Sequence, residues 1–176
     1  MEKDLRYPIG KFERGATPTE TQRSEWVAVM AEAPARLTAA VARLTPEMLD
    51  TPHRPGGWTV RQTVHHMADS HMHSFVRCKL ALSEDEPLVT AFKGAIWAEL
   101  PDAKSAPIGP SLAIFDGLQQ RWVVMLRSLA AGDWERKFRH PEMGPMTLEN
   151  LLALYQWHCR HHVAQITSLR ERNNWK

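Results

Sequence analysis

The stretch Thr147-Leu148-Glu149-Asn150-Leu151-Leu152-Ala153-Leu154-Tyr155-Gln156-Trp157-His158-Cys159-Arg160-His161-His162 decides the fold. Leu148, Leu151, Leu152 and Tyr155 recur at helical spacing, and Ile166 and Leu169 continue the same stripe. His158 and His162 fall on that stripe. Residues four apart on a helix lie one turn apart on one face. Two imidazoles therefore point inward together, where one divalent cation can meet both. Each buried ring brings a donor and an acceptor that need partners. A shared metal satisfies them, and so does a hydrogen-bonded core network. His161 projects to the side and is expected to be exposed.

Working outward, the rest of the chain reads as helix. Thr17-Pro18-Thr19-Glu20 has the form of a capping box with proline at the first helical position. The helix it opens is expected to reach about Leu44, with a kink at Pro34. Thr45-Pro46-Glu47 starts a short extra turn, and His53-Arg54-Pro55-Gly56-Gly57 is a loop. Thr59-Val60-Arg61-Gln62 is a second capping box, opening a helix to about Leu82. Residues 83–109 hold Pro87, Pro101, Pro107 and two glycines, and read as a long crossover with one helical turn near Trp97. A third helix is expected from about Ser111 to Ala130, carrying Leu112, Phe115, Leu118, Trp122, Leu126 and Leu129 on one stripe. The fourth begins at Thr147 and runs to about Arg172. No alternating segment or Asn-Gly hairpin signal argues for strands. The expected fold is all-α: one four-helix-bundle domain over residues 1–176, with a long crossover between helices two and three. Each histidine-bearing helix also follows a similar loop, His53-Arg54-Pro55-Gly56-Gly57 or His140-Pro141-Glu142-Met143-Gly144, which is a faint internal echo.

Bulk properties exclude several functions. The 176 residues are 43% hydrophobic and 24% charged, with a formal net charge of +2. That composition suits an ordinary globular domain. It gives no basic patch for nucleic acid. No apolar run approaches the roughly 20 residues of a membrane span. The N-terminal Met1-Glu2-Lys3-Asp4-Leu5-Arg6 lacks the apolar core of a signal peptide, so a cytoplasmic location is expected. Cys78 and Cys159 are too few for a disulfide framework. Both sit on apolar stripes and read as small core residues. No glycine-rich phosphate loop follows a strand.

Seven of the nine histidines fall in two stretches, 65–73 and 158–162. On the second helix the apolar stripe is Val60, Val64, Met67, His71, Phe75, Cys78 and Leu82. Periodicity there nominates His71 as the inward ring and places His66 well off the stripe.

Three segments carry a family resemblance: Tyr7-Pro8-Ile9-Gly10, the run from Gly57-Trp58-Thr59-Val60-Arg61 through His66-Met67-Ala68-Asp69 to His71, and Trp157-His158-Cys159-Arg160-His161-His162. Together they resemble the DinB superfamily, and within it the YfiT-type metal-dependent hydrolases. The resemblance spans nearly the whole chain. It implies a four-helix bundle with one histidine from the second helix and two from the fourth around one divalent metal, zinc or nickel. Position by position, the second-helix ligand falls eight residues after Trp58, on His66. The implied ligand set is His66, His158 and His162, with His71 as the alternative to His66.

A small-molecule substrate and a homodimer are further implications. Hydrolysis by activated water is the first expectation, and transfer of a low-molecular-weight thiol is the alternative. A bundle holding metal for structure alone is the non-enzymatic one. No catalytic base stands out. Asp69, three residues after His66, reads first as a solvated or capping carboxylate and second as a base or orienting group.

Overall fold

The computed structural model describes residues 4–176. Four long helices carry the architecture: α1 (Glu20–Val41), α3 (Val60–Ser83), α6 (Gly109–Arg127) and α7 (Leu148–Arg172). Short helices fill the connections: α2 (Pro46–Leu49), α4 (Gly94–Trp97) and α5 (Pro101–Ser105). α1 packs on α6 and α7, and α3 packs on the same two. Together they form a four-helix bundle. Its core is built from Met30, Leu37, Val64, Met67, Phe115, Trp122, Leu151, Leu152 and Ile166, all at most 2% exposed. The bundle and its long crossover between the second and third long helices agree with the reading of the sequence. No helix among the described residues is long and apolar enough to cross a membrane.

Local chemistry sets the helix ends. At α3, Gln62 N–H donates to Thr59 Oγ1 (3.1 Å) and Thr59 N–H donates back to Gln62 Oε1 (2.9 Å). This reciprocal box satisfies two otherwise orphaned donors. Thr59→Ala is expected to cost about 1 kcal/mol, readable as a lowered urea midpoint at unchanged m-value. At α7, Asn150 N–H donates to Thr147 Oγ1 (3.1 Å).

The first helix differs in detail from the expectation. Its N-cap is Thr19, closed by Gln22, and Pro18 precedes the helix. The box is a threonine followed three residues later by glutamine, and Thr19-Gln22 fits that spacing where Thr17-Glu20 does not initiate the turn. The helix runs through the buried Pro34 and stops at Val41, because Arg43 takes a left-handed φ of 64°.

The absence of strands is also corrected. β1 (Lys137–His140) pairs antiparallel with β2 (Gly144–Thr147). Phe138 and Met146 face each other in register and are buried. Four residues per strand are too few for a period-2 pattern to register in the sequence. Gly144, at φ 72°, supplies the left-handed residue that lets the chain return. The crossover also lays one segment on this hairpin: Arg139 N–H donates to Pro87 O (2.8 Å) and Val89 N–H to Arg139 O (3.0 Å).

Candidate metal centre

His66 comes from α3, and His158 and His162 from α7. One ligand nitrogen from each lies within 4.8 Å of the other two. His66 Nε2 is 3.1 Å from His158 Nε2. The rings of His158 and His162 meet edge to face at 4.4 Å between centroids. His66 and His162 do so at 4.9 Å. The two helices that the sequence marked as histidine-bearing thus bring these three rings into one group. His71, the alternative nominated by periodicity, stands behind it. Its Nε2 reaches His158 Nδ1 at 3.2 Å, and its ring is fully buried against Phe115 and Tyr155.

The motif residues around His66 hold the start of α3 in place. Arg61 Nε donates to Asp50 Oδ1 (2.7 Å) and its Nη1 to Ala106 O (2.9 Å). Gln62 Nε2 donates to Ala98 O at 2.7 Å. These bonds tie α3 to α2 on one side and to the crossover on the other. Trp58 packs on the His66 ring at 4.6 Å and stacks near His162 at 6.3 Å. From the crossover, Phe92 stacks on His66 at 5.7 Å. A Cβ at Gly94 would stand 3.0 Å from Phe92 and 3.2 Å from His66. Glycine there lets the crossover close over the ring.

All three rings are held neutral. Burial pushes His66 down to about 4, and it pushes His158 and His162 well below the ordinary histidine value. Neutral imidazole is the ligating form. Which nitrogen is bare is a second question, and for His162 the neighbours answer it. Gln165 Nε2 donates to the Arg6 carbonyl (3.0 Å) and to His161 Nε2 (3.0 Å). That fixes the amide, so its Oε1 faces His162 Nδ1 at 2.9 Å as an acceptor. His162 therefore carries its proton on Nδ1 and presents a bare Nε2 to the group. The donor set fits a divalent ion: three neutral imidazoles, one with its tautomer already set for ligation.

His161 departs from expectation. It is 5% exposed. Trp157 stacks on it at 4.4 Å and Tyr7 lies at 5.8 Å. Trp157 Nε1 in turn donates to Gly10 O at 3.3 Å. The irregular N-terminal segment covers a helix face that periodicity alone assigned to solvent. Asp69 is half-buried and makes no hydrogen bond to the three rings; burial, then the charge of Asp102, raises its carboxyl above the usual range. Cys78 and Cys159 are buried core residues, and burial raises both thiols. Gln165, Gln119 and Phe92 were not singled out by the sequence. Gln165, three residues after His162, is the one that helical spacing could have suggested.

The sequence profile of the DinB superfamily matches residues 30–166. The chain belongs to the DinB superfamily. A relative from Bacillus mycoides (strain KBAB4), called a "putative metal-dependent hydrolase", is 50% identical over 173 residues, covering 98% of this chain and 99% of the relative. A protein of the same description from Bacillus cereus (strain B4264) is 50% identical over 172 residues, with the same coverage. Among solved structures, YfiT from Bacillus subtilis superposes with a TM-score of 0.95 at 45% identity, covering 98% of this chain and 99% of that one. It is described as "a probable metal-dependent hydrolase with an unusual four-helix bundle topology".

Proposed function

We propose that this DinB protein is a metal-dependent hydrolase acting on a small molecule, with His66, His158 and His162 holding one zinc or nickel ion. The observation that carries the reading is the convergence of three neutral imidazoles within 4.8 Å, from two helices. The relatives' names supply the reaction class. When bound by three histidines, such an ion keeps coordination positions open, polarises a substrate oxygen and lowers the pKa of coordinated water. The chain's own residues do the rest. Trp58 and Phe92 wall the group and exclude solvent. Gln165 orients His162, and Arg61 and Gln62 hold α3 against the crossover.

Transfer of a low-molecular-weight thiol is the second reading, since an open position on the same ion can hold a thiol in its ionised form. The observation favouring it is the placement of Asp69. This carboxylate lies in the field of Asp102 and His65 and makes no hydrogen bond to the three rings. Hydrolysis would need a base from elsewhere to activate water, whereas a thiol, far more acidic than water, can give its proton to solvent on binding the ion.

Elemental analysis of the purified protein should return close to one zinc or nickel per chain. A folded, metal-free protein that takes up neither ion overturns both readings. Cobalt substitution followed by thiol addition separates them. A new thiolate charge-transfer band supports transfer; its absence, with ester or amide turnover, supports hydrolysis.

Gln165→Leu should weaken zinc binding by about 10–100-fold, the usual cost of losing a ligand's orienting partner. Competition against a chromogenic chelator measures it. We also propose a homodimer, drawing on exposed apolar side chains such as Met72, Val76 and Val124; sedimentation equilibrium tests it.

A further inference from the structure

Behind the three rings a buried chain runs from His158 through His71 to Gln119, and the proposed chemistry does not use His71 or Gln119. His158 Nδ1 is 3.2 Å from His71 Nε2, and His71 Nδ1 is 2.9 Å from Gln119 Nε2. His71 and Gln119 are at most 1% exposed. In this arrangement the proton positions follow one another. With its nitrogen facing the ring the Gln119 amide donates, so in this orientation His71 Nδ1 is bare and its proton sits on Nε2. That proton points at His158 Nδ1, which must accept it. The His158 proton is then on Nε2, aimed at His66 Nε2 3.1 Å away. Two of the proposed ligands are thus hydrogen-bonded to each other, and His158 offers no lone pair to a metal.

We propose that His71 and Gln119 are positioning residues that switch His158 between this closed tautomer and a metal-ready one, with the Gln119 amide as the reversing element. The inference rests on the three-histidine reading. In the metal-ready state His158 carries its proton on Nδ1 and donates to His71 Nε2. His71 then carries its proton on Nδ1 and needs an acceptor. Gln119 provides one by turning its amide so that Oε1 faces the ring. Each imidazole holds one proton in both states, so the change is a tautomeric exchange with water that releases none.

The two glutamines of the site differ in the feature that makes this possible. Gln165 is pinned by the Arg6 carbonyl. Gln119 is not: its buried Oε1 has no partner, and its remaining neighbour is the Cys159 sulfur at 3.7 Å. A thiol donates or accepts weakly. Turning the amide leaves one of its atoms unpartnered in either sense. Neither orientation is favoured at that end, and the choice is made at His71. A donor-only or acceptor-only group at position 119 would fix the chain in one state.

Long-range proton–nitrogen correlation spectra of protein labelled with 15N-histidine report each tautomer directly. Without metal, His158 and His71 are expected in the Nε2–H form and His162 in the Nδ1–H form. With one equivalent of zinc, His158 and His71 should both become Nδ1–H. The proposal is overturned if His158 is already Nδ1–H without metal, or if His71 stays Nε2–H when zinc is bound. Zinc that leaves the His66 and His162 Nε2 resonances unmoved overturns the three-histidine reading itself, so the two failures are distinguishable. Variants add a second measurement. Gln119→Met removes the acceptor and should raise the zinc Kd about 10–100-fold. Gln119→Glu, when ionised, accepts without donating and should bind zinc at least as tightly as the parent protein. If position 119 merely fills space, Gln119→Glu binds zinc no better than Gln119→Met, and the proposal fails.

Discussion

Replacing His158 by alanine is expected to abolish zinc or nickel binding, and with it turnover and all metal-dependent stabilisation. One nitrogen of His158 meets His66 at 3.1 Å, and the other meets His71 at 3.2 Å. Its loss leaves two ligands of the three, His66 and His162, on different helices, and it removes the connection to His71. The effect is readable without a substrate. A ligand at 1,000 times its Kd stabilises the native state by about 4.1 kcal/mol. For a chain of this length that is a rise of roughly 8–16 °C in Tm. The parent protein should show such a rise with zinc, and His158→Ala should show none. His73→Ala is the control. His73 also lies on α3, but it packs on Phe92 and Trp97 outside the group, so its alanine variant should bind one ion per chain. Retained stoichiometric binding in His158→Ala would sink the proposed ligand set.

The α3 histidines show what a sequence can and cannot say about such a centre. The apolar stripe correctly identified His71 as inward, since it is fully buried. It could not say that His71 stands behind another histidine. His66 lies off the stripe because it faces the crossover, under Phe92 and beside Trp58, and not the helical core. A ring covered by the crossover at the edge of a bundle is invisible to a core pattern, and only the motif anchored on Trp58 and Arg61 pointed to it. On α7 both rings lie on the core-facing stripe, so periodicity sufficed.

His161 went the other way. Its cover comes from Trp157, held by a bond to the Gly10 carbonyl, and from Tyr7, and no local pattern carries those contacts with the N-terminal segment. The helices were legible because caps such as Thr59 with Gln62 are local. The hairpin at 137–147 was not, because two four-residue strands are held by Gly144 and by the crossover strand at Pro87–Val89. The echo between the two halves has a counterpart in the fold. Each histidine helix is entered from a small antiparallel turn, Pro52 paired with Thr59 in one case and β1 with β2 in the other.

Acid is expected to unfold the metal-free protein steeply, between pH 6.5 and about 4. Five histidines, His66, His71, His158, His161 and His162, are held below the ordinary value of 6.5, in each case chiefly by burial. A native pKa below the unfolded one means that the unfolded chain binds protons first. The stability these groups contribute is therefore fully present above pH 6.5 and is lost as pH falls toward the native values, about 4 for His66 and His161. Each histidine withdraws about 1.4 kcal/mol per pH unit over that window. His66 alone amounts to about 3 kcal/mol on that slope. Five acting together set a ceiling near 7 kcal/mol per pH unit, against a typical total of about 5–15 kcal/mol. Far-UV circular dichroism of metal-free protein should show a cooperative transition with its midpoint inside the window. His161→Phe keeps the stacking with Trp157 and should reduce the proton uptake by about one. Zinc favours the neutral rings and should move the midpoint to lower pH by linkage. A metal-free protein still fully folded at pH 4 would show that water reaches these rings and that their burial costs far less than the packing implies.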